Sequence, residues 1–582
     1  MRDDFSVFWR NDEYTRELFF DLLTRSEQDA YDDDFLLQLA AYREAGGDAA
    51  HADIFAAQYL LHHGDAGNAA VCGERAYKKR PVSLEVWRIL AAAYSSLGRD
   101  ADATVMRGYA YRLYRRQSHL SLQLTEENMQ TCLNRLSLAL CPGNYAPLVP
   151  QRARLDTCGL QFESDVFVGE ALPQEKDTDA LPFWSALYTE SEYLSDRAVM
   201  LEVIRGNDAF LHAGYKDMVF QLQRAQEVTV PTVINVLEGN PQIIPIAGTT
   251  EGQRLLVQTA QEARPACLGK WSFSYFRIDE PVTIRTEDET PYVLGTPIPL
   301  GHSTRRKKLV LNILIDGLAW NIARTHFPDA MPNIARFFAR GTIFDQHFST
   351  SECTYPSLPV IETGRYPIHT QVFNERDSHE IPLDMMTLSE CMTDLGYYAA
   401  APMGASDSLT CGALRGYDQL NTAAWKLPSA EAADRAIMQL EAFDETDQFL
   451  YLHVTDVHPW NAKGLKFHPA VESHLPLSQR LFELDEHIAS VRLPKLKIYQ
   501  EQFWRSLRRA DRNLAQLLTY IEEHYAEEEY LVSIYSDHGN SIFSTPVNGL
   551  MDVIAENSTR ALWMMRGAGV PEGRIVNELT ST

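Results

Sequence analysis

Leu309-Val-Leu-Asn-Ile-Leu-Ile-Asp316-Gly317 is the stretch that decides how this chain is read. A short apolar run ends abruptly in a carboxylate and a glycine. Such a run, bounded by a turn signal, reads as a parallel strand buried on both faces. α/β sheets place their ligands at the carboxyl ends of such strands, which makes Asp316 a candidate site residue. A second strand with the same ending lies far downstream, Tyr530-Leu-Val-Ser-Ile-Tyr-Ser536-Asp537-His538-Gly539. Between them comes Cys353-Thr354-Tyr355-Pro356-Ser357-Leu358-Pro359, followed by Thr363-Gly364-Arg365-Tyr366-Pro367. Two strands ending in Asp, one with an added His, and a hydroxyl residue between them predict a metal site with a nucleophile.

Working outward, strand and helix patterns alternate from Leu309 onward. Met385 to Gly396 reads as a helix with a glycine stop, and the residues after it as a strand. Gln448-Phe-Leu-Tyr-Leu-His-Val reads as a strand leading into Asp456-Val457-His458-Pro459-Trp460, and Phe503 to Ile521 as an amphipathic helix. This is βα alternation with a mostly parallel sheet. The basic run Thr304-Arg-Arg-Lys-Lys308 reads as a solvated lead-in to the first strand rather than a localisation signal.

Upstream the texture differs. Gly64 and Gly98, Ala69 and Ala103, Ala76 and Ala110, and Tyr77 and Tyr111 are each 34 residues apart. Trp87-x-x-Leu90-x-x-x-Tyr94 with Gly98 resembles the tetratricopeptide pattern, in which small residues let paired helices pack closely. Pro81 falls between the units, where a helix breaks. Two units are fewer than a stable array needs, so residues 1–50 are expected to supply another helical pair or a cap. The repeats read either as a partner-binding arm or as a spacer. A helix is expected from about 118, ending at the Cys141-Pro-Gly-Asn144 turn. Residues 151–305 then read as β-rich, perhaps a sandwich, with a helical stretch over about 182–225. Pro231 and Pro245 indicate edge strands or bulges. The expected fold is therefore multidomain: helical repeats over 1–125, a β-rich module over 126–305, and an α/β domain over 306–582.

The 582 residues carry a net charge of -26, which opposes a general attraction to nucleic acid or an anionic membrane. The first residues lack the basic and apolar regions of a signal peptide, and no apolar stretch reaches transmembrane length. Eight cysteines without C-x-x-C pairs read as reduced thiols in a cytoplasmic protein.

The order strand-Asp-Gly, a segment ending in Thr-Gly-Arg-Tyr-Pro, then strand-Asp-His-Gly resembles the alkaline phosphatase superfamily, on its sulfatase-like and phosphodiesterase-like side. The resemblance covers about Leu309 to Gly573 and includes Glu556 to Arg560 and Met565 to Pro571. Members of that family typically continue with another strand and helix, so it implies a chain that stops short. It places the nucleophile at Thr354, since Cys353 is one residue out of register with the Cys-x-Pro-x-Arg sulfatase signature and Leu358 stands where its Arg is wanted. Thr354-Tyr-Pro-Ser resembles the Thr-Phe-Pro-Asn segment of phosphodiesterases. Asp316, Thr354, Asp537 and His538 would offer a mixed oxygen and nitrogen shell, suited to Mn²⁺, Zn²⁺, Ca²⁺ or Mg²⁺. A divalent cation neutralises the charge of a phosphate ester and lowers the pKa of a bound hydroxyl. Thr354 would attack and form a covalent intermediate.

His458 reads as a general acid or a substrate ligand, or else as a cap on its loop. Asp456 and Arg365 are candidates for substrate or second-metal contact, with a structural role open for Arg365. The spacing Asp-x-His, with no His after His538, argues against a complete second metal site. The expected activity is cleavage of phosphate mono- or diesters on a small molecule, glycan or lipid headgroup. Sulfate-ester hydrolysis, transfer to another acceptor, and a catalytically inactive interaction protein are the alternatives.

Overall fold

The structure, a computed structural model, describes residues 12–582 apart from 116–118, 142–147, 175–179, 189–193, 207–217, 237–239, 375–379, 406–411, 424–426, 461–466, 482–489 and 546–554. The Pro142-Gly143-Asn144 turn expected from sequence lies outside the described residues. The chain opens with helices α1 (Glu13–Glu27), α2 (Asp33–Glu44), α3 (Ala49–His62), α4 (Ala66–Lys79), α5 (Leu84–Ser96), α6 (Asp100–Leu113) and α7 (Met129–Leu140). Asp12, Asp32, Asp48, Asp65 and Ser83 cap the first five, each side chain accepting from a first-turn N–H. Gly64 and Gly98 follow α3 and α5 with positive φ, 79° and 73°, so the repeat in sequence is a repeat in backbone geometry. Trp87, Tyr94 and Tyr109 are buried among the small residues Ala69, Ala76 and Ala103. The helix expected from about residue 118 starts only at Met129.

A separate two-stranded sheet follows, β1 (Leu148–Asp156) with β2 (Gly159–Val166), and then a mixed sheet whose middle-region strands are β3 (Phe183–Leu187), β4 (Val219–Val228), β5 (Gln242–Gly248), β6 (Phe273–Ile278) and β7 (Tyr292–Gly295), with helix α8 (Leu194–Arg205) after β3. The C-terminal region adds β8 (Leu309–Ile315), β9 (Thr342–Phe344), α9 (Thr354–Thr363), β10 (Tyr398–Ala405), β11 (Gln419–Ala423), α10 (Ser429–Ala442), β12 (Gln448–Val454), α11 (Lys497–His524), β13 (Tyr530–Tyr535), β14 (Trp563–Gly567) and β15 (Arg574–Val576). The main sheet runs β6-β5-β7-β4-β11-β10-β12-β8-β13-β14-β9-β15. Its centre, β11 to β13, is parallel, as expected from the βα alternation.

Three expectations for the middle region need correction. Among the described residues the stretch 182–225 is helical over Leu194–Arg205 only, because the apolar run Phe183 to Leu187 is buried throughout and pairs with β4 as a strand. Pro245 lies in an internal strand, β5, not on an edge. It is tolerated because the pairing partner changes there, from β7, which ends opposite Ile246, to the short strand Ile298–Pro299, which begins opposite Ile243. A four-stranded sheet does pack over β5 through Ile244, Ile246, Leu255 and Ile284, as in a sandwich. Its partner layer is not closed, however: β4 pairs antiparallel with β11 and carries the sheet into the C-terminal region.

Strand β8 shows why the opening stretch was informative. Leu309, Leu311, Ile313 and Ile315 join the core beneath α10 and α11, while Leu314 joins the opposite core, beneath α9. Alternate side chains are thus buried on both faces. The basic run before it is pinned by ion pairs: Arg306 Nε lies 2.8 Å from Asp447 and Lys308 Nζ 2.7 Å from Glu529.

Candidate metal centre

Parallel pairing sets the ends of β8, β12 and β13 side by side, so the residues that follow converge. Asp316 follows β8, Thr455 to His458 follow β12, and Asp537 and His538 follow β13. Gly317 must turn away immediately. It has φ 68°, and a Cβ there would sit 3.3 Å from His458, so the glycine serves both the turn and the close approach of the His458 loop.

Asp316, His458 and His538 are all buried and present donor atoms within 4.8 Å of one another. His538 Nε2 lies 3.5 Å from Asp316 Oδ1 and His458 Nε2 lies 3.9 Å from it. The other ring nitrogen of His538, Nδ1, donates to Gly539 O at 2.6 Å, which turns the Nε2 lone pair toward the site. Asp537 Oδ1 accepts from the N–H of Gly317 and of His538, at 3.2 and 3.0 Å. Asp316 Oδ1 and Asp537 Oδ2 are buried with no hydrogen-bond partner. Two orphaned carboxylate oxygens facing imidazole nitrogens fit a divalent cation, and Asp316, His458 and His538 form its site.

Burial opposes the charge of Asp316, yet the imidazoles of His458, His453 and His538 hold it well below the usual carboxylate range. Burial and the neighbouring charge of Asp316 push Asp537 up. A cation between the two would remove that repulsion.

Thr354 is the first residue of α9, whose N-cap is Cys353 in extended conformation. Pro356 sits in the first turn, where a missing N–H costs no helical bond. The Thr354 hydroxyl lies 3.1 Å from His538 Nε2 and donates to it.

Residues 308–571 match the family model described as Sulfatase. The C-terminal domain carries the alkaline phosphatase/sulfatase superfamily fold. No curated protein matches this chain. Solved structures that align with it include the phosphonate monoester hydrolase of Agrobacterium radiobacter, at 16% identity over 47% of this chain and 71% of that one, TM-score 0.37. Another is the phosphonate monoester hydrolase from Silicibacter pomeroyi, at 13% identity, 47% and 70% coverage, TM-score 0.36. A protein of the alkaline phosphatase superfamily from Vibrio parahaemolyticus aligns at 12% identity, 47% and 64% coverage, TM-score 0.33. The family match and the metal triad together support a metal-dependent hydrolase of this superfamily.

Within the superfamily fold, Asp316, Thr354, Asp537, His538 and His458 come together, and two sequence candidates do not. Arg365 is exposed beyond the C-terminus of α9, about 15 Å of helix away from Thr354. Asp456 faces away from the triad: its Oδ2 accepts from Ser429 N at 2.8 Å, capping α10, and its Oδ1 lies 3.0 Å from Arg509 Nε. His458, expected as a general acid or substrate ligand, stands among the metal donors. His453 was missed from sequence. It is fully buried on β12 and its Nε2 lies 3.0 Å from Asp316 Oδ2. The available signal was a histidine inside an otherwise apolar central strand. Among the described residues no helix is long and apolar enough to cross a membrane, and the seven described cysteines are free.

Proposed function

We propose that this chain hydrolyses phosphate mono- or diesters, with Thr354 as the nucleophile. The observation that carries this reading is the Thr354 hydroxyl at the start of α9, 3.1 Å from His538 Nε2, itself a member of the metal triad. Asp316, His458 and His538, with Asp537 and Thr354 at their side, would hold the cation. When bound, it supplies charge neutralisation of the ester and acidifies a nearby hydroxyl. The free N–H groups of the first turn of α9 face the ester anion. Thr354 Oγ forms the bond to phosphorus as the ester C–O–P bond opens on its phosphorus side. The alcohol leaves with a proton, and water then cleaves the threonyl phosphate and restores the hydroxyl. His453 holds Asp316 through Oδ2 and leaves Oδ1 directed at the triad.

Sulfate-ester hydrolysis is the second reading, and the Sulfatase family match favours it. The Cys-x-Pro-x-Arg sulfatase signature puts a cysteine at the nucleophile position, where this chain has Thr354. The deciding experiment is turnover of an aryl phosphate monoester, a phosphate diester and a sulfate ester with Mn²⁺, Zn²⁺, Ca²⁺ or chelator, beside Thr354→Ala. Metal-dependent turnover of a phosphate ester, lost in the variant, supports the first reading. Turnover untouched by Thr354→Ala overturns the nucleophile assignment. The same proposal takes the helical arm as tetratricopeptide-like and partner-binding in a cytoplasmic protein. Its support is the recurrence of Gly64 and Gly98 in one backbone geometry.

A further inference from the structure

The helix that carries Thr354 also carries a buried carboxyl that the proposed chemistry leaves unused. Glu362 stands two turns beyond Thr354, about 12 Å along α9. Thr354, Leu358 and Glu362 recur at a spacing of four, so they lie along one face of the helix. That face is the inner one: all three are buried, and Leu358 joins the core formed by Leu314, Tyr417 and Tyr535. Pro359 has no N–H, so α9 lacks one hydrogen bond between its two ends. The helix therefore depends on its tertiary contacts, Thr354 on His538 at one end and Glu362 in the core at the other.

The surroundings of Glu362 supply no counter-ion. Arg415, the cation that acts on it, pairs with Glu390 at 3.4 Å and donates to the carbonyls of Ile381, Pro382 and Met385. Glu390 adds a like charge, and Ser389 supplies the hydrogen bonds. Tyr417, just before β11, and Tyr535, on β13, are buried phenols on which a charged Glu362 acts. Glu362 Oε2 and the Tyr417 hydroxyl are each buried with no hydrogen-bond partner. A carboxylate left unpaired in such a place is driven toward water. The way out is short, because Glu362 lies in the last turn of α9 and Gly364 and Arg365 beyond it are exposed.

We propose that Glu362 is a positioning residue for Thr354: its neutral carboxyl seats the last turn of α9 in the core, and its ionisation lifts that turn and draws the Thr354 hydroxyl away from His538 Nε2. Burial holds the carboxyl neutral up to about 8, so the seating is present at neutral pH and is lost as pH rises through that value. A reacting group displaced by about 1 Å loses on the order of 10²-fold in rate, so a small tilt of α9 suffices. The effect on turnover rests on Thr354 being the nucleophile, whereas the movement of α9 does not.

The test uses the full-length, metal-loaded protein from about pH 6 to 10, with two readouts. One is kcat and KM for an aryl phosphate monoester. The other is hydrogen exchange of α9, corrected for the intrinsic rate at each pH. In the wild type, kcat should fall by up to about 10²-fold in the alkaline range with KM nearly constant. Protection of α9 should fall with it, while β8 and β13 stay protected. Glu362→Gln keeps the shape but cannot ionise, and should hold both kcat and α9 protection where the wild type loses them. Glu390→Gln keeps a capping residue for the helix Leu388–Asp394 and removes the like charge, so it should move both transitions to lower pH. It serves if Glu362→Gln does not fold. Superimposable pH profiles for wild type and Glu362→Gln overturn the proposal, as does a Glu390→Gln transition that stays in place. Loss of β8 and β13 protection together with that of α9 also overturns it, since the whole domain would then be unfolding. If no ester is turned over and α9 still loses protection in the wild type but not in Glu362→Gln, the seating stands and the hydrolase reading fails.

Discussion

Glu362 offers the most quantitative test of the fold around the nucleophile. It lies on α9 two turns beyond Thr354, is buried, and its Oε2 has no hydrogen-bond partner. Burial pushes its carboxyl from the ordinary 4.5 up to about 8, with the charge of Glu390 adding to the rise and hydrogen bonds from Ser389 opposing it. Between those values the folded protein holds a proton that the unfolded chain has released. Stability contributed by the neutral carboxyl is therefore full below the unfolded value and is lost as pH rises toward 8. At about 1.36 kcal/mol per pKa unit the whole loss is on the order of 5 kcal/mol, most of it between pH 5 and 8. Glu362→Gln keeps the shape and one acceptor but cannot ionise. Urea denaturation of both proteins at pH 5, 6, 7 and 8, followed by the same signal in each, isolates the effect. The wild type should lose stability relative to the variant by several kcal/mol across that range. Parallel stability curves for the two proteins would refute the reasoning, because they would mean that the carboxylate ionises in the folded state as freely as in water.

Other perturbations separate chemistry from scaffolding. Thr354→Ala should lower phosphate-ester turnover by about 10³-fold or more while leaving metal affinity, read by calorimetry, within about tenfold. His453→Ala should weaken metal binding by about 10- to 100-fold, since it releases Asp316 Oδ2, and His453→Gln should restore part of that loss. Removing the metal with a chelator should lower the melting temperature, and a divalent cation at 100 times its Kd should restore about 2.7 kcal/mol of stability. Asp511 on α11 accepts from Asn333 N and Ile334 N, 3.1 and 2.9 Å away, at the start of the helix Pro332–Phe338. Asp511→Ala should cost about 2 kcal/mol of stability with kcat and KM per folded molecule unchanged.

The sequence by itself determined the central strands and the ends that matter. Asp316 and Asp537-His538 were legible because an apolar run that stops at a carboxylate has few uses other than a strand end in a sheet buried on both faces. The distance to Thr363-Gly364-Arg365 pointed to Thr354, whose hydroxyl lies 3.1 Å from His538 Nε2, and small residues at fixed spacing marked the 34-residue repeat. Only the tertiary structure decided which of the remaining candidates share the site. Arg365 lies 11 residues from Thr354 and Asp456 only two from His458, yet neither joins the triad. One is separated from Thr354 by the length of a helix, and the other is held by Ser429 N and Arg509. His453 reaches Asp316 because β12 pairs with β8 in a register that sets His453 opposite Leu314, one residue before the end of the strand. Strand pairing, helix length and the continuation of β4 into the sheet are non-local. No window of sequence contains both partners, so they are settled only when the whole chain packs.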